Sequence, residues 1–259
     1  MSPRQRPKAS PPAVLLLLGL AAGACAGEPE EGTPGPVEEL PPPFSLTVSE
    51  AGFSTPESAL HDPQADVYLL ANINGGGAEK DGNGFISRIS PEGEVLELKW
   101  IDGSTPGVTL HAPKGMALVA DTLFVTDIDC VRGFHRETGD PVRELCLEEA
   151  TFLNDLAATR GGDLYFSDSG SSESPGAVYL LRSTADIPQR VALADGSLLD
   201  GAELGGPNGV YADRRGLFVA TYGSGEVFQV RPNGERVQLL SPSTMRLDGL
   251  VPVGEEEFL

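Results

Sequence analysis

Positive charge is scarce in this chain. Its 259 residues carry 18 Lys and Arg against 38 Asp and Glu, a formal net charge of −20. A protein that binds nucleic acid by neutralising phosphates needs a basic face, so that class is excluded. Cysteine is scarcer still. Three residues exclude both a disulfide-dense scaffold and a multi-cysteine zinc module. The three histidines, His61, His111 and His135, show no metal-ligand spacing. The apolar stretch from Ala13 to Leu20 is too short to cross a bilayer. Glycine and proline are plentiful, at 32 and 22 residues, yet below the range of low-complexity chains. With 40% hydrophobic residues a real core can form, and the balance indicates one turn-rich β domain.

The first 24 residues read as an export signal, with Arg4, Arg6 and Lys8 ahead of the short apolar stretch. The segment ends Leu20-Ala21-Ala22-Gly23-Ala24-Cys25, which resembles a bacterial lipoprotein signal with Cys25 as the lipidated first residue. The expectation is export, with the chain lipid-anchored to the bacterial cell envelope and touching membrane only through that anchor. An ordinary signal peptide with an incidental cysteine is the simpler reading. Residues 25–43 are acidic and proline-rich, without periodicity that could bury a face, and read as an extended tether. Residues 44–259 form the folded domain.

Within it, LHDPQADVYLLANI, LVADTLFVTDI, LAATRGGDLYFSDS and VYADRRGLFVATY each read as an apolar strand, a polar turn and a second strand. Third and fourth strands follow in each, as in FISRIS with VLELKW, or EVFQVR with RVQLL. Four antiparallel strands per repeat is the pattern of a propeller blade. Each first strand opens on a recurrent dipeptide: Glu57-Ser58, Lys114-Gly115, Asn154-Asp155, Asn208-Gly209 and Asp248-Gly249. Their spacings of 57, 40, 54 and 40 residues suit four-stranded blades. A stacked sandwich would not explain five recurrences of one signature.

First strands line the central channel of a propeller, so the opening residues converge on one axis. Glu57, Asn154, Asn208 and Asp248 then offer carboxylate and amide oxygens to one point, a donor set suited to a hard divalent cation, calcium foremost. The plainer reading makes them turn residues, which explains any one of them but explains all four less well. The second strands end on Asn72, Asp127, Asp168 and Thr221 at the same end of the channel. Asp127 and Asp168 are read either as supports that hold the ring by hydrogen bonds or as ordinary caps on backbone. His111 precedes the second blade's opening and is a candidate to reach the pocket.

The run PESALHDP…VYLLANI, FLNDLA, PNGVYAD, LDGLV resembles the superfamily of senescence marker protein (regucalcin), gluconolactonase and luciferin-regenerating enzyme, from about Pro56 onward. The resemblance implies an all-β, six-bladed β-propeller with one calcium-type metal on its axis. Position by position, Glu57, Asn208 and Asp248 match the direct ligands, and Asn154 matches an asparagine that contacts metal or substrate. Lys114 has no ligand counterpart; it either sits at the rim and attracts an anionic substrate or is solvated. The implied activity is metal-dependent hydrolysis of a small-molecule substrate, a sugar-acid lactone, with Asp248 as general base. The alternatives are a non-catalytic surface propeller with a structural calcium, and an ester or organophosphate hydrolase using the same ring.

Two motifs are set aside. Glu79 to Ser90 has the spacing of a helix–loop–helix calcium loop, but its twelfth position is Ser90 and strands flank it, so it reads as a glycine-rich hairpin turn. Gly223-Ser224-Gly225 lacks the setting of a nucleophile elbow. Cys130 and Cys146 flank the turn at Thr138-Gly139-Asp140 and face each other if the hairpin is tight; a slip of one residue would place them on opposite faces. Finally, the repeat comparison expects a fragment: an open arc of four full blades and the start of a fifth, with on the order of 60 residues missing. Phe44 to Phe53 is then a strand meant to pair with the missing blade.

Overall fold

The computed structural model describes residues 47–201, 204–244, 246–253 and 257–258. The signal segment, Cys25 and the tether fall outside them. The described chain is all β and consists of four four-stranded antiparallel sheets. The first holds β1 (Pro56–Asp62), β2 (Val67–Asn72), β3 (Phe85–Ile89) and β4 (Val95–Asp102). The second holds β5 (Pro113–Val119), β6 (Thr122–Asp127), β7 (Cys130–His135) and β8 (Pro141–Cys146). The third holds β9 (Leu153–Ala158), β10 (Leu164–Asp168), β11 (Ala177–Leu181) and β12 (Gln189–Arg190). The fourth holds β13 (Pro207–Asp213), β14 (Gly216–Thr221), β15 (Val227–Val230) and β16 (Arg236–Leu240). Within each sheet the strands lie in chain order, and the four first strands pack in succession, β1 on β5, β5 on β9 and β9 on β13. These are the blades of a propeller, joined through their innermost strands.

The core lies between blades. Ile86 and Ile101 of the first blade pack with Met116, Leu123, Val125 and Phe134 of the second. Phe124 and Val131 of the second meet Leu156, Phe166 and Tyr179 of the third, where the Phe166 and Tyr179 rings stack at 5.4 Å. Val178 of the third joins Val219 and Phe228 of the fourth. Middle strands are therefore apolar on both faces, whereas the outer β8 and β16 are largely exposed.

Three expectations are corrected. The described part of the strand expected over Phe44–Phe53, residues 47–53, forms no strand, because Glu50 and Gly52 take positive φ values of 53° and 84° that break extended backbone. The fourth strand of the third blade shrinks to two residues, since the chain turns at Asp195-Gly196 and closes only a bridge between Ala192 and Leu198. Asp248 to Leu250 forms no strand and is followed by a single bridge from Pro252 to Phe258. On the second blade, Cys130 stands directly opposite Cys146 in the β7–β8 register and the two form a disulfide. A crosslink closing a loop of 16 residues contributes roughly 3 kcal/mol.

Four of the five opening dipeptides are β-bulges. In all four blades the residue before the dipeptide pairs with the last residue of the second strand: Pro56 with Asn72, Pro113 with Asp127, Leu153 with Asp168, Pro207 with Thr221. The register then slips, so that two residues face one small residue, Ala71, Thr126, Ser167 or Ala220. A bulge bends its strand and re-aims a side chain, which is how each blade turns its opening residue toward the axis. The glycines that follow have a separate cause. A Cβ on Gly115 would lie 2.6 Å from the Asp155 Cα and the Leu156 nitrogen, and one on Gly209 would lie 2.5 Å from the Asp248 carbonyl oxygen. Gly115→Ala should therefore cost about 2 kcal/mol by forcing two innermost strands apart, read as a lowered midpoint in urea. Gly107→Ala, which meets nothing within 4 Å but has φ of +90°, separates backbone strain from crowding.

Candidate metal and substrate site

One end of the channel gathers three of the five opening residues in one cavity, without Glu57 or Lys114 in its lining. Asn154, Asn208 and Asp248 line a cavity of about 430 Å³, together with Phe152, Ser169, Gly205, Gly206, Tyr222 and Gly223. Asn154 and Asn208 are buried; Asp248 is exposed at the open side. Asn154 donates its amide N–H to Ser169 Oγ at 3.1 Å, and that hydroxyl donates to the Pro207 carbonyl at 2.8 Å. Among the described residues no donor is bonded to the carbonyl end of the Asn154 amide. Hydroxyls also tie the ring's backbone from blade to blade: Ser58 to the Lys114 carbonyl at 2.5 Å, Thr126 to that of Asn154, and Ser167 to that of Asn208 at 2.6 Å.

Glu57 belongs to the same electrostatic cluster. It keeps a path to solvent, yet surrounding protein pushes its carboxyl up to about 7, through burial first and then through the charges of Asp248 and Asp155, against the pull of Lys114. Asp155 is pushed up to about 6, mainly by burial and also by Asp248, although it accepts hydrogen bonds from the Leu156 and Val210 N–H groups at 2.8 Å each. Asp155 was not singled out in the sequence. The available signal was positional: it stands where three of the other four opening dipeptides carry Gly115, Gly209 and Gly249.

Crowding of this kind has a consequence for stability. A proton affinity raised above the usual 4.5 means that ionised Glu57 costs stability in full above pH 7, and the cost fades as pH falls from 7 to 4.5. Glu57→Gln should therefore stabilise the chelator-treated protein at pH 8. After allowance for Glu57's contact with solvent the gain is about 1 kcal/mol, a rise of roughly 2–4 °C in melting temperature. A lower melting temperature for the variant at pH 8 would contradict this account of the cluster.

Lys114 is neither at the rim nor solvated; it is only 1% exposed. Its ammonium donates to the Ala112 carbonyl at 3.0 Å and lies 4.4 Å from the centre of the Phe152 ring. Burial brings it down to about 8 against the opposing charges of Asp127 and Glu57.

Asp127 and Asp168 perform one task in successive blades. Asp127 accepts the His111 N–H at 3.1 Å and the Ala112 N–H at 2.7 Å, and pairs at 2.5 Å with Arg132 Nε. Asp168 accepts from Thr151 at 3.2 Å, Phe152 at 2.8 Å and Gly170 at 3.0 Å. Asn72 does the same for Ser54 at 3.1 Å. Each caps the segment leading into an opening residue, so capping and support are one role. Thr221 instead serves its own turn, bonding to the Glu226 N–H at 2.8 Å.

His111 holds the turn at Gly82, whose N–H donates to His111 Nδ1 at 3.0 Å. That turn joins β2 to β3, and within it Asn83 Nδ2 donates to Asp81 at 2.6 Å. Ser224, in the turn after β14, shares a 2.6 Å hydrogen bond with Thr221. Among the described residues no three His, Cys, Asp or Glu side chains gather as a metal cluster. The candidate donor set at this mouth depends on its two amides.

The fold and the mouth together define a β-propeller whose polar functional groups sit at one end of the channel. No protein-family model matches the chain, and no curated protein matches it in sequence. Among solved structures it is similar to a gluconolactonase from Xanthomonas campestris, with 17% identity, a TM-score of 0.53, and 77% of this chain and 67% of that one covered. A structural-genomics target assigned to the gluconolactonases gives 18% identity and a TM-score of 0.50 over 77% of this chain and 69% of that one. The chain thus shares the propeller fold of these proteins.

Proposed function

We propose that the chain is a metal-dependent hydrolase of a small lactone of sugar-acid type, using a calcium-type cation held by Glu57, Asn154, Asn208 and Asp248. One observation carries the reading: at this mouth Glu57, Asp248 and Asp155 bring carboxylates together beside two asparagine amides, and their charges add to burial in raising Glu57 to about 7. A divalent cation relieves such crowding, and an all-oxygen set with two ligand carboxylates suits a hard ion. When bound, the cation would polarise the lactone carbonyl and ease ionisation of a water beside it. Asp248, in the cavity wall, takes the proton from that water at a carboxylate oxygen. Phe152 and Tyr222 offer faces for the sugar ring. Asp168, by fixing the Phe152 N–H, sets both that wall and the entry to Asn154. The Cys130–Cys146 disulfide supports export, since such bonds persist in oxidising compartments.

The test is calorimetric titration of calcium, followed by turnover of a panel of sugar lactones with calcium and with chelator. Binding with calcium-dependent turnover supports the reading. Binding without turnover of any lactone or ester favours a ligand-binding propeller with a structural ion. No binding and no turnover overturns the proposal.

A further inference from the structure

A second cavity, of about 650 Å³, lies among the turns that join first to second strands in the third and fourth blades. Those turns are at the far end of the strands from the opening residues. Thr159, Arg160 and Gly161 form one side, and Asp213, Arg214 and Arg215 the other. The corresponding turns of the first two blades, Pro63 to Asp66 and Ala120-Asp121, carry no arginine.

Arginine pairing across the molecule makes this cavity stand out. Arg88, Arg132, Arg136, Arg143, Arg182, Arg190, Arg231 and Arg236 each pair with a carboxylate, and Arg246 donates to the Tyr222 hydroxyl. Arg215 is held by Asp213 at 2.8 Å. Arg160 and Arg214 alone have neither an ion pair nor a side-chain hydrogen bond among the described residues, and both line this one cavity. In a chain with about twice as many acidic as basic residues, carboxylates are the abundant partner. Two exposed arginines left without one face a shared cavity and are free to take another anion.

We propose that this cavity binds a phosphate monoester group through Arg160 and Arg214. Charge fits the choice. Arg160 and Arg214 themselves bring two positive charges to the cavity, matching a phosphate monoester of about −2 at neutral pH. Guanidinium forks suit the tetrahedral oxygens by paired N–H donation. Thr159 Oγ1 already accepts the Asp163 N–H at 3.1 Å, so its proton is available to donate into the cavity. The volume lies within the range of small-molecule sites. The source could be a free metabolite or the headgroup of a phosphorylated lipid, and the chemistry of recognition is shared.

The test uses the full chain and inorganic phosphate, titrated calorimetrically in chloride buffer near 0.15 M ionic strength. In parallel, vesicles of phosphatidylcholine are used with and without phosphatidic acid. Arg160→Gln and Arg214→Gln should each weaken phosphate binding about tenfold, the loss of one charged hydrogen-bonding partner. The double variant should not bind measurably. Melting temperatures should stay at the wild-type value because both side chains are exposed. Free phosphate binding lost in the double variant supports a metabolite source. Capture by phosphatidic acid vesicles alone, lost in the same variant, supports a lipid headgroup. Equal binding by wild type and double variant, or no binding to either probe, overturns the proposal. Calcium and lactones play no part in these readouts, so the outcome is independent of the function proposed above.

Discussion

Asp248→Ala should abolish measurable lactone turnover and weaken calcium binding on the order of 100-fold or more, as expected when a hard cation loses one of two carboxylate ligands. Asp248 lines the cavity and adds to the charge that raises Glu57. Removing it takes away the proposed ligand and the proposed base together. It should also lower the proton affinities of Glu57 and Asp155, since its negative charge helps raise both. Asp248 lies in strand-free, exposed chain, so the variant should fold as the wild type does. Asp248→Asn separates the two roles: an amide oxygen can still coordinate, so calcium binding should fall less than turnover. Calorimetry and initial rates on the three proteins decide it. Equal turnover by wild type and Asp248→Ala, with calcium and with chelator alike, would remove both the base and the metal from the mechanism.

The blades were legible in the sequence because their signals are local. Alternating apolar runs and glycine-containing turns recur in order, and four sheets appear where they were read. The opening residues were legible for a related reason: a bulge at the same register in each blade makes a dipeptide recur at matching places. The strand expected before Glu57 failed because apolar content says nothing of the positive φ values at Glu50 and Gly52. Lys114 was misjudged as rim or solvated because its burial depends on Phe152 and on Gly77, whose added Cβ would lie 3.9 Å from Lys114 Cε, from two other blades. Asp155 was missed because one of its two backbone donors, Val210, stands 55 residues further on, in the next blade. The disulfide could be anticipated because one turn sets its register, whereas the pairing of Arg136 with Asp62 at 2.9 Å joins residues 74 apart and leaves no local trace.

Asp127→Ala should be the most damaging of the single substitutions to the fold, at about 3–5 kcal/mol, the range for breaking a buried ion pair from one side. Asp127 is fully buried and Arg132 only 5% exposed. Without Asp127 the guanidinium keeps Glu144, whose side chain is 57% exposed and a poorer shield against burial. The His111 and Ala112 N–H groups lose their acceptor at the same time. Lys114 loses one of the two carboxylates that favour its charge, so its proton affinity should fall further. Asp168→Ala provides the comparison. It removes three backbone hydrogen bonds but no buried ion pair, and should cost less, about 2–3 kcal/mol. The two differ in what they do to the mouth: Asp168→Ala loosens Phe152 and Asn154 in the cavity wall, whereas Asp127→Ala acts one blade away through Lys114. Urea unfolding should rank Asp127→Ala as the less stable variant. Lactone turnover at a temperature where both are folded should rank Asp168→Ala as the less active. The reverse stability order would mean that the Asp127–Arg132 pair contributes less than its capping hydrogen bonds, and that the strand-end carboxylates stabilise the blades through backbone capping alone.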